Sequence, residues 1–332
     1  MSLITQIKKR LTGLSFSQEY LCISLEDLAS PLGVFLTFPG GNHDVTQTHL
    51  FLGYKPLIIG LIYPDQKNVT ASLEMPEEIS LHFTNGNFEG NCKWQGFEAD
   101  KTSIARLRLR RKETRRLGSK IIYFYEGIDG VHFFIRWQQQ WINNLREKVR
   151  FRKAGNVTLP GNLYQQIRIA YSVPRVISII TISDGDKINM FPTDLHGLVS
   201  DKYYVGSLRI GGRVNDQVEQ WKKITISTVD AARYGETYAL GKNHMTELRG
   251  KENFSCHDML SENFQHALPV GTNHYRELMW KDSMDLGIHR IHFYEIICSR
   301  AVSDSGSTLA HIHHYYGQWR EDHGLKANYL LR

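Results

Sequence analysis

Two stretches of the chain repeat each other. Leu117-Gly118-Ser119-Lys120-Ile121-Ile122-Tyr123-Phe124-Tyr125-Glu126-Gly127 and Leu286-Gly287-Ile288-His289-Arg290-Ile291-His292-Phe293-Tyr294-Glu295-Ile296 align without a gap, with six identities in eleven positions. Their neighbours recur in the same order. Val34–Phe38 followed by Pro56–Tyr63 parallels Val176–Ile182 followed by Tyr203–Ile210, and Gln140-Trp141 parallels Gln318-Trp319. A pattern repeated over such a length implies two similar units in tandem; chance similarity between two β-rich segments is the alternative. The length of 332 residues suits two domains. The boundary is expected within 150–163, where Lys153-Ala154-Gly155-Asn156 and Pro160-Gly161-Asn162 break the pattern, giving units of 1–155 and 156–332.

The repeated segments read as strands. Val176–Ile182 and Tyr203–Ile210 are β-branched and aromatic, with turn signals at Asp184-Gly185-Asp186 and Gly211-Gly212. A short helix is expected over Asn215–Gln220 with Asn215 as its cap, then a strand over Trp221–Val229, and further strands over Ile288–Ser299 and Leu309–Tyr316. Many short strands with few helices point to a barrel or sandwich rather than a doubly wound parallel sheet.

The net charge of +6 is local. Between Lys101 and Arg116 eight basic residues face one acid, Glu113, so this segment carries +7 and the remainder −1. Arg106-Leu107-Arg108-Leu109-Arg110 alternates with period two, as expected of a solvated edge strand whose charges discourage edge pairing. A phosphate-contacting surface is the alternative reading, and the distribution argues against a nucleic-acid partner. The longest apolar run, Pro56–Tyr63, is far shorter than a membrane span, so no membrane partner is expected. The N-terminus lacks the pattern of a secretory signal, and Cys22, Cys92, Cys256 and Cys298 form no CxxC. Both features fit reduced thiols in the cytoplasm, where Asn68-Val69-Thr70 would carry no glycan.

Several chemistries find no motif. There is no dinucleotide G-x-G-x-x-G, no G-x-x-x-x-G-K-[ST], no G-x-S-x-G elbow and no zinc spacing. His311 and His313 share a strand face, but no carboxylate or Cys sits at ligand spacing beside them, so no metal is expected.

More specific is the run Val176–Ile182, the Asp184-Gly185-Asp186 turn, the Asn-x-x-Pro segment Asn189–Pro192 with Thr193-Asp194, and then Tyr204-Val205-Gly206-Ser207-Leu208-Arg209. In order and spacing these resemble the flavin-reductase-like FMN-binding split β-barrel family, flavoredoxin included. The resemblance extends through Leu286–Ile296 to Tyr315-Tyr316-Gly317 and covers roughly residues 165–332. With the repeat, it implies a mainly β fold with a few helices: a split β-barrel, present as two tandem barrels with a degenerate N-terminal copy. It further implies that Asn189, Pro192, Thr193, Asp194, Ser207, Arg209, Gly212, Arg213 and Asn215 hold FMN. His289 or Lys242 would act on the reacting ring.

The residue types suit that chemistry. A dianionic phosphate needs backbone N–H groups and a guanidinium, which Gly211-Gly212-Arg213 and Arg209 offer. A cation or oriented N–H groups stabilise charge gained on flavin reduction. The chain departs from the family in placing Gly212 and Val214 where phosphate-binding hydroxyls are common. The first unit lacks the Ser-x-Arg exit after Pro56–Tyr63 and has Lys120 in place of the histidine, so it is not expected to bind flavin alone. In the family the flavin lies between two barrels of a homodimer; here residues 1–150 could supply the second surface, and a tandem chain can still form a homodimer. The expected function is an FMN-binding oxidoreductase of flavin-reductase type, with NADH or NADPH as co-substrate. The alternatives are an FMN-binding electron carrier without a nicotinamide site, and a flavin-free barrel acting as an interaction module.

Overall fold

The structure is a computed structural model, which describes residues 3–38, 41–65, 75–85, 103–150, 159–303, 306–325 and 329. Strands dominate it. In the first half, helix α1 (Leu3–Thr12) and strand β1 (Tyr20–Ser24) precede β2 (Gly33–Phe38), β3 (Gly41–Asp44), β4 (His49–Tyr54), β5 (Leu57–Pro64), β6 (Glu78–Thr84), β7 (Ser103–Leu117), β8 (Lys120–His132) and α2 (Trp137–Arg150). In the second, α3 (Leu163–Ala170) and β9 (Arg175–Val176) lead into β10 (Ser178–Ser183), β11 (Lys187–Thr193), β12 (His196–Leu198), β13 (Tyr203–Arg209), α4 (Arg213–Trp221) and β14 (Lys223–Val229). Then come α5 (Tyr234–Ala239), β15 (Arg249–Gly250), β16 (Cys256–Leu260), β17 (Ala267–Pro269), β18 (Thr272–Leu286), β19 (His289–Ala301), β20 (Leu309–His313) and α6 (His314–Asp322).

The two large sheets have the same order. The first runs β4-β5-β8-β7-β6-β2-β3 and the second β12-β13-β19-β18-β14-β10-β11, with β15 added at its edge. Every pairing within them is antiparallel. Among the described residues neither sheet closes on itself, so each is split rather than a sealed barrel. The repeated segments occupy equivalent places: Leu117 pairs with Lys120 and Leu286 with His289 across tight hairpin turns, and Gly118 and Gly287 take φ of +59° and +63° there. Register carries the equivalence further. Ile62 faces Ile122 as Ser207 faces Ile291, and His49 faces Leu61 as His196 faces Gly206.

The halves meet across a self-complementary seam. Leu52, Ile58, Ile62, Ile122 and Phe124 of the first sheet pack with Val199, Val205, Ile291 and Phe293 of the second. The Phe124 and Phe293 rings lie edge to face at 6.2 Å. Each hairpin turn touches the other half: a Cβ on Gly118 would lie 2.8 Å from the Tyr203 ring, and one on Gly287 would lie 2.3 Å from the Lys55 carbonyl oxygen. Ile288 N–H donates to that same carbonyl at 3.0 Å. Arg115 ion-pairs with Asp282 and lies 5.3 Å over the Phe293 ring. This is the pattern of a two-fold dimer, realised within one chain. The termini tie the halves again, because β20 is the centre of a small sheet between β1 and β9. Leu14, Phe16, Leu21 and Ile23 accordingly share one core with Ala310, Ile312, Tyr315 and Trp319.

Some local expectations are corrected. The basic stretch Arg106–Arg110 is not an edge, because β7 pairs with both β6 and β8. Its leucines are buried, and Arg108 and Arg110 lie outward against Glu78 at 3.7 and 2.8 Å. Strand β20 stops at His313, whose side chain accepts the N–H of Tyr315 at 3.1 Å and starts α6, so Tyr315 and Tyr316 are helical. Helix α4 begins at Arg213 after Gly212 and runs through Trp221, where Lys222 ends it at φ +56°. Asn215 therefore does not cap it; its side chain donates to the Arg209 carbonyl at 2.7 Å. Lys101, Cys92, the Asn68–Thr70 motif and Lys153–Asn156 lie outside the described residues. Among the described residues no helix is long and apolar enough to cross a membrane.

Candidate functional site

Strands β13 and β19 pair Arg209 with His289 directly, and the Ser207 hydroxyl lies 3.2 Å from His289 Nδ1. From the other half, the Tyr54 ring meets His289 edge-on at 4.4 Å. Burial holds the Tyr54 hydroxyl protonated above the ordinary tyrosine range, against the pull of the nearby Arg209 charge. Burial, with the charge of Arg209, lowers the His289 pKa to about 4, so the imidazole is neutral near pH 7. His289 Nε2 is buried and has no hydrogen-bond partner among the described residues. A buried polar atom without a partner costs on the order of 1–3 kcal/mol, which a bound acceptor or donor would offset.

Asp194 follows β11 and faces the same junction. Its carboxylate accepts from the Tyr171 hydroxyl at 2.9 Å and from His311 Nδ1 at 3.0 Å. Beyond His311, its Nε2 meets the Tyr238 hydroxyl, to which the Cys22 thiol donates at 3.3 Å. Burial alone would raise the Asp194 pKa, but the His311 bond and charge hold it below the ordinary carboxylate range. Burial likewise works against the His311 cation, yet Asp194 and Cys22 raise its pKa to about 9. Its sign fixes the pH response. A histidine raised from ~6.5 contributes fully below that pH and loses its contribution as pH rises through about 9, whereas a depressed aspartate contributes above ~3.9. We therefore expect stability to fall by roughly 3 kcal/mol between about pH 6.5 and 9 in urea titrations. His311→Gln should flatten that slope; an unchanged slope would place the titrating group elsewhere.

The candidate phosphate loop lies at the start of α4. Gly211 has φ +87° with open space around an added Cβ, and Gly212 precedes a helix start that no side chain caps. The N–H groups of Arg213 and Val214 precede the first turn's bond, which Asn215 N–H makes to the Gly212 carbonyl at 3.3 Å, and so have no intrahelical acceptor. A cleft of about 320 Å³ here is lined by Gly211, Gly212, Arg213, Asn215, Asp216 and Arg290, at the lower end of the ~300–1,000 Å³ of ligand sites. Arg213 is 61% exposed and 3.2 Å from Glu247, while Arg290 is held by Asp285 and Glu219 at 2.7 and 2.9 Å. Exposed pairs of this kind exchange partners at little cost, so the Arg213 guanidinium is available to an anion.

The remaining expected residues are engaged within the second half. Asn189 is fully buried, and its amide donates to Gln217, to the Asn243 carbonyl at 3.1 Å and to the Thr246 carbonyl at 3.4 Å, tying the 240–246 turn to α4. Asn215 is buried between the Arg209 carbonyl and His292 Nε2. Pro192 presents its carbonyl to His244 at 2.9 Å, Thr193 is buried beside Leu195, and Lys242 is exposed on the 240–246 turn. The structure thus gathers Ser207, Arg209, His289 and Asp194 at the seam, with Gly212 and Arg213 on the loop. Asn189 and Lys242 stand apart from that group. Tyr54, Tyr171 and Tyr238 were not reached from sequence, since each touches the site from more than twenty residues away. No local spacing encodes such contacts.

The junction thus brings together a glycine loop with an exposed guanidinium and a neutral, buried imidazole with an unpartnered nitrogen beside an aromatic ring. No family model and no curated protein matches the chain. Among solved structures, the chain is similar to the NADH:FAD oxidoreductase SgcE6 of Streptomyces globisporus C-1027, at 12% identity and TM-score 0.41 over 49% of this chain and 96% of that one. Flavin reductase PheA2 aligns at 10% identity and TM-score 0.39, over 52% of this chain and all of that one. An FMN-binding protein of Thermus thermophilus aligns at 12% identity and TM-score 0.36, over 45% and 79%.

Proposed function

We propose that the chain binds FMN at the seam between its halves and acts as an oxidoreductase of flavin-reductase type, taking hydride from NADH or NADPH. The observation that carries the reading is the meeting of Arg209 and His289 with Tyr54 of the other half, around a buried imidazole nitrogen with no partner. Arg209 and His289 are residues that the family resemblance assigns to the flavin; Tyr54 is added by the structure. When bound, FMN supplies a ring that accepts hydride and passes electrons on. The protein's part is positioning and charge. Arg213 and the N–H groups at the start of α4 hold the phosphate. In the tautomer in which the Ser207 hydroxyl, 3.2 Å away, donates to Nδ1, His289 would carry its proton on Nε2 and offer an N–H into the seam. Tyr54 closes the site from the first half, so the cover that a homodimer partner would give is supplied in cis.

The test is a fluorescence titration of the full chain with FMN and riboflavin, followed by NADH or NADPH under anaerobic conditions. Tighter binding of FMN than riboflavin and bleaching of the bound flavin are expected. Equal affinity for both would remove the phosphate site, and no flavin binding at all would leave the interaction-module reading. FMN binding without bleaching by either nucleotide would support the electron carrier. Arg213→Ala should weaken FMN by roughly 1.5–3 kcal/mol, the range of a charge-assisted bond, and leave riboflavin unaffected. A change of a few tenths would assign Arg213 to the rim.

A further inference from the structure

Helix α2 is packed with its polar side inward. Asn143 is 4% exposed and donates to the Thr12 carbonyl at 2.8 Å, and Gln140 donates to the His132 and Ile135 carbonyls at 3.1 and 2.9 Å. Asn144 accepts from the buried Arg168 at 2.8 Å. The apolar stripe faces out instead: Trp137, Trp141 and Leu145, four residues apart, are 73%, 64% and 52% exposed. Helix α1 lies against α2 and adds Ile7 and Leu11 at 52% and 59%, with Phe133 at 64% just before α2. A surface helix ordinarily turns such a stripe to the core, and a contiguous exposed apolar patch marks an interaction site. The repeat sharpens the contrast. Trp319, the counterpart of Trp141, is only 6% exposed and stacks on Tyr316 and His323.

Charge selects the occupant. Among the described side chains, helices α1 and α2 carry Lys8, Lys9, Arg10 and Arg146 and no acid, with Lys9 paired to Asp322 of α6 at 3.1 Å. Arg10, Arg136 and Arg146 are exposed. We propose that this face docks on an anionic lipid surface, with the two tryptophans and Leu145 in the headgroup boundary and the arginines on lipid phosphates. A second copy is disfavoured because a two-fold contact would bring the same cations together. A lipid surface needs no matching pocket; an apolar stripe rimmed by arginine suffices. The short apolar runs of the chain bear on crossing a membrane, not on lying upon one. Nothing in this inference depends on flavin binding.

The test is sedimentation of the full chain with phosphatidylcholine vesicles containing roughly 30% phosphatidylglycerol, against phosphatidylcholine alone, with tryptophan emission recorded in parallel. Binding to the anionic vesicles with a blue shift is expected, roughly tenfold or more weaker on neutral vesicles and reduced by salt. Trp137→Ser with Trp141→Ser, and separately Arg10→Gln with Arg146→Gln, should each weaken it by roughly tenfold. All four side chains are solvent-facing, so unchanged far-UV circular dichroism is expected and separates lost docking from lost fold. Failure to bind anionic vesicles, or binding indifferent to the tryptophans, overturns the proposal. So does a tryptophan-dependent doubling of mass in solution without vesicle binding, which would assign the face to a second copy.

Discussion

Gly287→Ala is expected to destabilise the protein by about 2–5 kcal/mol, far more than the same change at Gly161. The two glycines have nearly the same backbone, φ +63° and +58°, so both replacements carry the left-handed strain of roughly 1–2 kcal/mol. They differ in what the new methyl meets. At Gly161 nothing lies within 4 Å, whereas at Gly287 the Lys55 carbonyl oxygen and Pro56 Cδ both lie at 2.3 Å. Backbone of the opposite half cannot step aside without opening the seam, and overpacking of this kind adds roughly 1–3 kcal/mol. Gly118→Ala should fall between them, since its close neighbour is the Tyr203 ring, which can rotate away. Urea unfolding of the three variants checks the ranking. Equal losses at Gly287 and Gly161 would mean that the hairpin turn does not abut the first half.

The aromatic contact across the seam carries the second large effect. Phe293 is 2% exposed and touches both the Phe124 ring and the Arg115 guanidinium. Phe293→Ala should cost about 3–5 kcal/mol, from lost burial and the cavity left behind. Phe124→Ala, fully buried on the other side, should cost about as much. Because the rings face each other, the double variant should lose less than the sum, with a coupling of about 0.5–1.5 kcal/mol. Strict additivity in the double-mutant cycle would place the two rings in separate cores.

The duplication was legible because it is written twice in residues that do the same structural work. Leu-Gly at 117–118 and 286–287 makes the same left-handed hairpin turn, and Ile122 and Ile291 fill the same seam. Strand type was also legible, since β-branched runs such as Ser178–Ser183 keep one character end to end. Boundaries failed where a side chain rather than a propensity decides. His313 starts a helix by accepting a backbone N–H, and aromatic Tyr315-Tyr316 alone reads as strand. Arg106–Arg110 showed its two faces but not its neighbours, because alternation is the same for an inner strand with one solvated face as for an edge. At the candidate site, three of the residues named from sequence, Ser207, Arg209 and His289, lie together on neighbouring strands. Sequence missed Tyr54, and it left His311 unassigned, because their partners come from distant strands.

On the proposed reading, one chain builds both sides of a single flavin site. This is tested most directly by FMN stoichiometry measured together with molar mass, using absorbance and light scattering on a sizing column. We expect one FMN per chain on a species with the mass of one chain, and loss of that FMN when Tyr54 and His289 are both replaced by alanine at unchanged mass. FMN carried only by a species of twice the mass, or retained in full by the double variant, would contradict it.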